Sequence, residues 1–364
     1  MIDRAGEVLA QLKRGYNRRR PRLRDREVEV QLYRGYRSSE RLWVQGRVLE
    51  ADGISAAATD SRWRNMVNAL RRFESDEIAG ARVRMRYRGR EEVLTADHEG
   101  YVTWDAPVHS LGRGDDEWEY VEAELVDLPY GRAAATSFRG EVADLTRDAR
   151  YAVVTDIDDT VLKTYITSPL KLRALYHTLV DNAHTRLPFA GAAELFAGLH
   201  EGPEPGGDAA NPVFYLSRSP WNLYRMLERF LDGRGFPRGP IFLRDVGLRA
   251  AGIPAEGHKR GTLLRLLSDF PRLRFVLVGD SGERDADIYR QVESEHPDRV
   301  AAVVIRNVKN NANAQRIRRM FERRETPPKY FLVRDSAEAA ERLRALGLLS
   351  EAQVASVAAA EQVG

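Results

Sequence analysis

Two carboxylates stand two residues apart in the middle of the chain, where Asp156 and Asp158 follow the apolar run 152–155. On an extended chain, side chains at positions i and i+2 point to the same side. Like charges this close are costly to bury unless a cation neutralises them or one carboxyl holds a proton. The pair therefore predicts a cation site or acid/base chemistry. The alternative is a helix cap, but one cap does not require the three aspartates of 156–159.

Three further polar groups follow apolar runs or open a predicted helix: Ser217 with Arg218, Lys259, and Asp280 with Asp285. A serine hydroxyl and a lysine ammonium can stabilise the oxygens of a phosphoryl group, and carboxylates can ligate a cation. Arg218 either reaches an anionic substrate or faces solvent. Lys259 is predicted at the start of a helix over 259–269, where a cation opposes the helix dipole, so an anion-binding role is favoured.

The composition restricts the kind of site. The chain of 364 residues has no cysteine, which excludes disulfides, thiolate zinc sites and cysteine nucleophiles. The seven histidines contain no HExxH pattern, so a bound metal should be a hard cation held by oxygen ligands. Acidic and basic residues nearly cancel, leaving a net charge of +3, and no nucleic-acid partner is expected.

The elements that must position these residues alternate between buried strands and helices. Strands are predicted at Ala152–Thr155, Val213–Leu216, Ile241–Leu243, Phe275–Val278, Ala302–Ile305 and Tyr330–Val333, and helices at 221–232, 259–269, 284–295 and Ala337–Leu346. This order predicts an α/β fold with a parallel sheet and helices on both faces. In such sheets ligands bind at the carboxyl ends of the strands, which is where most of the polar groups fall.

The first part of the chain has a different pattern. Apolar residues alternate with a period of two in several short segments over 27–147, which predicts an all-β, sandwich-like domain, interrupted by a short helix near 63–73. Residues 1–26 predict a basic amphipathic segment that either docks on its own domain or contacts an anionic membrane. Residues 148–350 form the predicted α/β domain, and 351–364 are left as a C-terminal tail.

The ordered motifs resemble those of the haloacid dehalogenase superfamily of phosphohydrolases. The carriers are a DxDxT motif (Asp156, Asp158, Thr160), Ser217, Lys259, and a GDxxxxD motif (Asp280, Asp285). A narrower resemblance is to the actin-patch-associated phosphatidate phosphatase family. It rests on TDIDDTV at 155–161, YLSRSPWNLY at 215–224, HK at 258–259 and GDSGERDADIY at 279–289.

The resemblance implies a Mg²⁺-dependent phosphatase with a Rossmann-like parallel sheet and an aspartyl-phosphate intermediate. Asp156 is the expected nucleophile and Asp158 the acid/base, while Asp156, Asp158 and Asp280 are the expected metal ligands. Ser217 and Lys259 are expected to stabilise the phosphoryl oxygens. Thr160 is expected to hold the loop, with Asp285 and Arg218 in supporting roles.

The substrate expected from the resemblance is phosphatidate or a related phosphomonoester. Only one helix, near 169–182, is predicted between the first motif and the next core helix, and this small cap favours a substrate presented on a surface over a small metabolite. The alternatives are a phosphoprotein or small-metabolite phosphatase, or a noncatalytic binding protein on a phosphatase fold. The chain is expected to be cytoplasmic, with peripheral contact to anionic membrane.

Overall fold

The computed structural model describes residues 27–50, 77–108, 112, 114, 116–129, 131, 136–146, 148–157, 190–204, 210–244, 255–282, 284–308, 312–322 and 329–363. The chain divides into two compact units, Met1–Thr146 with Asp245–Gly252, and Arg147–Arg244 with Ile253–Gly364. The predicted segment 1–26, the helix near 63–73 and the cap helix near 169–182 lie outside the described residues. Asp158 and Thr160 also lie outside them.

The first unit contains one mixed β-sheet. Its strands are β1 (Val28–Leu32), β2 (Gly35–Arg37), β3 (Arg41–Glu50), β4 (Arg82–Tyr87), β5 (Arg90–Thr95), β6 (Tyr101–Pro107), β7 (Trp118–Asp127) and β8 (Ser137–Asp144). They pair in the order β1-β3-β2-β8-β7-β4-β5, with β6 on β3. The pairing is antiparallel except between β2 and β8. The alternating segments 28–32, 42–48, 83–87, 121–125 and 138–142, which were predicted as strands, lie in β1, β3, β4, β7 and β8. The sandwich arrangement stays a prediction.

Alternation identified five strands of the first unit, whereas β2, β5 and β6 were not predicted, although β6 also alternates. In β4 the side chains of Val83, Met85 and Tyr87 are buried, and those between them face outward. Strand β5 was not predicted, because its residues are mostly exposed and its alternation has no apolar face. Its pairing with β4 places it in the sheet despite this pattern.

The second unit contains a six-stranded parallel sheet. Its strands are β9 (Tyr151–Asp156), β10 (Val213–Pro220), β11 (Ile241–Arg244), β12 (Arg274–Asp280), β13 (Val300–Arg306) and β14 (Tyr330–Val333). The helices are α1 (Ala192–Glu201), α2 (Tyr224–Gly233), α3 (Ala255–Asp269), α4 (Asp285–Glu295), α5 (Ala312–Glu322), α6 (Ser336–Ala345) and α7 (Glu351–Val363). Among the described helices, none combines the length and apolar character needed to cross a bilayer.

The strand order of this sheet is β11-β10-β9-β12-β13-β14. The chain moves outward in one direction from β9 to β11 and then crosses back to β12, on the other side of β9. The carboxyl ends of β9 and β12 therefore flank a topological switch point, the usual ligand crevice of such sheets. The predicted α/β class with a parallel sheet is confirmed, while the haloacid dehalogenase-type arrangement with its cap stays a prediction.

Three local boundaries differ from the sequence-based expectation. Helix α3 begins at Ala255, one turn before the predicted start. The helix predicted over 221–232 begins as the short 3-10 helix Trp221–Leu223, capped by Pro220 without a side-chain hydrogen bond, and continues as α2 from Tyr224. Residues expected to form a tail instead build α7, with Val354 and Val357 buried, because their apolar side chains pack in the second unit.

Candidate active site

Asp156 is the last residue of β9 and is 7% exposed. Strand β9 is buried along its whole length, as is typical of an inner strand of a parallel sheet covered on both faces, and it pairs with β10 on one side and β12 on the other. Register places Asp156 beside Leu216 on β10, so Ser217 follows at the adjacent strand end. The central strand thus delivers a carboxylate directly to the switch point.

Lys259 bridges two buried carboxylates. Its Nζ lies 2.8 Å from Asp156 Oδ2 and donates to Asp285 Oδ1 at 2.8 Å. The lysine is 1% exposed. It lies in the second turn of α3, so the expectation that it opens a helix against the dipole was wrong. The two anionic partners, and not the helix end, account for a buried ammonium here.

After Asp280, the last residue of β12, the chain turns tightly, and two carboxylates hold backbone amides of this turn. Asp280 Oδ1 accepts the amide of Gly282 at 2.5 Å, and the Asp280 amide donates to Asp285 Oδ2 at 3.4 Å. A Cβ at Gly279 would lie 2.5 Å from Asp285 Oδ2, so glycine is required for Asp285 to reach its position. The two aspartates of the GDxxxxD motif therefore lie close together, with Asp285 at the start of α4 and Asp280 at the end of β12.

The carboxylates of this cluster are held in an unfavourable environment. Burial, followed by the negative charge of Asp285, raises the pKa of Asp156 from 3.8 to about 7, although Lys259 acts in the opposite direction. Burial also raises the pKa of Asp285, and Asp280 adds to this effect while Lys259 opposes it. Without a further cation, the cluster therefore tends to retain a proton.

We expect the metal-free protein to lose stability as the pH rises. Because the folded-state pKa of Asp156 is raised, the folded protein binds more protons than the unfolded chain. The associated stability is fully present below the ordinary pKa of an aspartate and is lost as the pH rises through about 7. Urea unfolding in EDTA at pH 5 and pH 8 should show a larger loss in the wild type than in Asp156→Asn. Equal losses in the two proteins would contradict the expectation.

The residues present fit a hard divalent cation. One oxygen from each of Asp156, Asp280 and Asp285 lies within 4.8 Å of the other two. Lys259 lies 2.8 Å from two of the three buried carboxylates, and the third, Asp280, interacts electrostatically with Arg306. Three carboxylates against these two cations leave an excess negative charge when all are ionised. An all-oxygen donor set of this kind suits Mg²⁺ or Ca²⁺ better than a softer transition metal. Asp285, which the sequence analysis placed in a supporting role, thus belongs to the cluster that could hold the ion.

Ser217 and Arg218 lie at the end of β10 with opposite orientations. Ser217 is fully buried, and its Oγ accepts the Ser219 amide at 2.9 Å. A hydroxyl that accepts one hydrogen bond can still donate its own proton, so this contact is compatible with phosphate binding. Arg218 is exposed, whereas Ser217 and Ser219 on either side of it are buried. The roles assigned to both residues stay predictions.

His258 precedes Lys259, and its burial could not be inferred from the sequence. Burial lowers its pKa to about 4, with a smaller opposing effect from its hydrogen bond to the Phe242 backbone. Nearby Arg265 and Arg244 further disfavour its charged form. The imidazole is therefore neutral at physiological pH and adds no charge to the site.

Part of the chain is similar to known proteins. Residues 151–307 match the family model described as "Phosphatidate phosphatase APP1, catalytic domain". The chain is 27% identical over 214 residues to a Saccharomyces cerevisiae protein named phosphatidate phosphatase APP1, covering 58% of this chain and 31% of the relative. It is 28% identical over 214 residues to an uncharacterized protein of Schizosaccharomyces pombe, covering 58% and 33%. The chain thus spans less than half the length of these curated relatives.

Among solved structures, a carbohydrate acetylesterase from Xanthomonas citri has a TM-score of 0.25 and 10% sequence identity. The comparison covers 74% of this chain and 57% of that chain. A likeness this weak carries no argument about fold or function.

Proposed function

We propose, from the premise that residues 151–307 form an APP1-like catalytic domain, that the chain is a Mg²⁺-dependent phosphatase acting through an aspartyl-phosphate. The observation that carries the proposal is the cluster at the switch point. There, Asp156 ends the central strand beside Lys259, and Asp280 and Asp285 lie within 4.8 Å. This set combines a nucleophile, a charge-stabilising cation and metal ligands in one buried place.

In the proposed reaction, Asp156 attacks the phosphorus atom in line with the leaving group. A bond forms between its carboxylate oxygen and phosphorus while the bond from phosphorus to the alcohol oxygen breaks. Asp158 donates a proton to the departing alcohol, then removes one from the water that attacks the aspartyl-phosphate. Release of phosphate regenerates the Asp156 carboxylate. Asp158 lies outside the described residues, so its role rests on the motif.

Two residues in this proposal stabilise negative charge on the phosphoryl oxygens. Lys259 is held by Asp156 and Asp285 at 2.8 Å each, which directs its ammonium toward the attacking carboxylate. Ser217 lies at the adjacent strand end, where its hydroxyl can donate to a phosphoryl oxygen. Preorganised donors of this kind typically contribute about 10²–10³-fold to turnover.

Asp156 and Asp280 would hold the ion, together with the backbone of Asp158, and Asp285 is close enough to contribute. Bound Mg²⁺ would supply positive charge that favours the ionised form of Asp156 and offsets its repulsion from an anionic phosphate. Whether or not Asp285 binds the ion, it orients Lys259 through the 2.8 Å contact between its carboxylate and Lys259 Nζ.

Phosphatidate is the proposed substrate, because the Saccharomyces cerevisiae relative carries that activity in its name. Phosphatidate is presented by a bilayer, so the proposal includes peripheral contact with anionic membrane from the cytoplasmic side, to which the basic residues of 1–26 would contribute. These residues lie outside the described part of the chain, and their role is argued from their sequence alone.

We expect full-length protein to release phosphate from phosphatidate vesicles in the presence of Mg²⁺, to stop in excess EDTA, and to recover when Mg²⁺ is restored. The physical reason is that the carboxylate cluster repels an anionic phosphate unless a cation is bound. Sugar phosphates, nucleotides and phosphopeptides should be tested in parallel. Preference for one of these substrates would contradict phosphatidate as the substrate but would still support phosphatase activity. Activity indifferent to chelation would contradict the cation site, and no release from any substrate would favour a noncatalytic binding protein.

A further inference from the structure

Ser281, which follows Asp280 at the end of β12, forms hydrogen bonds to the end of β13, to the residues after it and to helix α5. All three polar groups of Ser281 are used. Its amide donates to the Arg306 carbonyl at 2.8 Å, its Oγ accepts the Val308 amide at 3.1 Å, and its carbonyl accepts Asn313 Nδ2 at 2.5 Å. Ser281 is 1% exposed. Asp280 precedes Ser281 and accepts a hydrogen bond from Gly282, so the contacts of Ser281 restrain the backbone on the C-terminal side of the Asp280 carboxylate.

Asn313, in the first turn of α5, is itself held in one orientation. Its Oδ1 accepts from Arg316 Nε at 2.9 Å, which leaves the amide nitrogen to face the Ser281 carbonyl. Reversing the amide group would place its oxygen against the Ser281 carbonyl oxygen and its nitrogen against the Arg316 Nε–H group, and neither pair can form a hydrogen bond. The orientation of this side chain therefore follows from the hydrogen-bond pattern itself.

Arg316 extends the network to the helix that carries Asp285. Its two terminal nitrogens bind the two carboxylate oxygens of Asp287 at 2.7 and 2.8 Å, in a bidentate arrangement. Asp287 lies in the first turn of α4, which begins at Asp285. Helix α5 thus contacts Ser281 through Asn313 and Asp287 through Arg316, on either side of Asp285.

We infer that Asn313 and Arg316 are positioning residues for the cation site, and that the network Asp287–Arg316–Asn313–Ser281 sets where the Asp280 carboxylate lies relative to Asp156 and Asp285. This inference rests on the proposed function. A cation site tolerates errors of only about 0.5 Å in its ligands, so the partners behind the ligands affect affinity. Neither residue belongs to a motif of the sequence analysis.

The two contacts should matter more for cation binding than for stability. The Arg316–Asp287 pair is half exposed, and pairs of this kind contribute little to folding. Loss of a hydrogen bond behind a metal ligand, in contrast, typically costs about 10–100-fold in affinity. A purely structural role would produce the opposite pattern, with stability reduced and cation affinity unchanged.

The test is a titration of the full-length protein with Mg²⁺ alone, followed by the rise in melting temperature, for wild type, Asn313→Ala and Arg316→Gln. Gln315→Ala is the matched control, because it truncates an exposed amide side chain on the same helix. We expect the Mg²⁺ dissociation constant to rise about ten-fold in Asn313→Ala and several-fold in Arg316→Gln, with no change in the control. In phosphate release, the Mg²⁺ concentration for half-maximal rate should rise in parallel, while kcat at saturating Mg²⁺ stays near that of the wild type.

An unchanged dissociation constant in folded Asn313→Ala, with the wild type responding to Mg²⁺, would overturn this inference and leave the proposed function standing. If Asn313→Ala does not fold, Arg316→Gln decides by the same criterion, since Arg316 lies at the surface. A wild type that neither responds to Mg²⁺ nor releases phosphate would overturn the proposed function and this inference together.

Discussion

Replacing Asp156 with asparagine should reduce Mg²⁺-dependent phosphate release by at least about 10⁴-fold, the scale of loss when a nucleophile is removed. An amide cannot form the acyl-phosphate, so the first half-reaction has no route. The fold should remain intact, because asparagine is close in size to aspartate and removes one of the crowded negative charges. Lys259 keeps Asp285 as its ionic partner at 2.8 Å.

Phosphate release and thermal unfolding in EDTA, measured on the same preparations, check both parts of this prediction. The melting temperature of Asp156→Asn should equal or exceed that of the wild type, most clearly above pH 7, where the wild-type carboxyl is ionised. Asp298→Asn is a suitable control, since it makes the same change at an exposed aspartate of the second unit that has no place in the reaction or in the cation site. Turnover by Asp156→Asn near the wild-type rate would contradict the nucleophile assignment.

Lys259→Met should strongly destabilise the metal-free protein. It removes the ammonium that lies 2.8 Å from both Asp156 and Asp285 and leaves two carboxylates buried together. Removing one partner of a buried ion pair typically costs about 3–5 kcal/mol. Turnover should also fall, by about 10²–10³-fold at saturating Mg²⁺, because the charge that stabilises the phosphoryl oxygens is lost.

Denaturant unfolding in EDTA at pH 8 measures the stability loss of Lys259→Met, and Arg260→Met provides the comparison. Arg260 is the next residue on the helix, and its pair with Glu295 is about one-third exposed, so its removal should cost less than about 1 kcal/mol. Adding Asp285→Asn to Lys259→Met should recover part of the loss, since it removes one of the two stranded carboxylates. A cost equal to that of Arg260→Met would show that the buried bridge contributes little.

Much of the site was predictable because strand ends are marked in the sequence. Ser217 directly follows four buried apolar residues, 213–216. Asp156 and Asp280 follow similar runs that end in Thr155 and in Val278-Gly279, and such runs predict strands of a parallel sheet. Lys259 was predicted to be an anion-binding residue, but it was placed at the start of its helix, one turn away from its actual position in α3. The glycine at 257 lowers helix propensity and hides the true start at Ala255, although Pro254 was an available signal.

The sequence by itself determined which residues could do chemistry and the class of sheet that would present them, because both follow from local patterns of apolar and polar side chains. Only the tertiary structure decided their neighbours. Strand order places β9 between β10 and β12, and it sets Asp280 beside Arg306 on β13. That register brings Asn313 to Ser281, 32 residues away along the chain. A side chain that acts through such a contact has no local sequence signal, because its partner is chosen by the packing of strands and not by spacing.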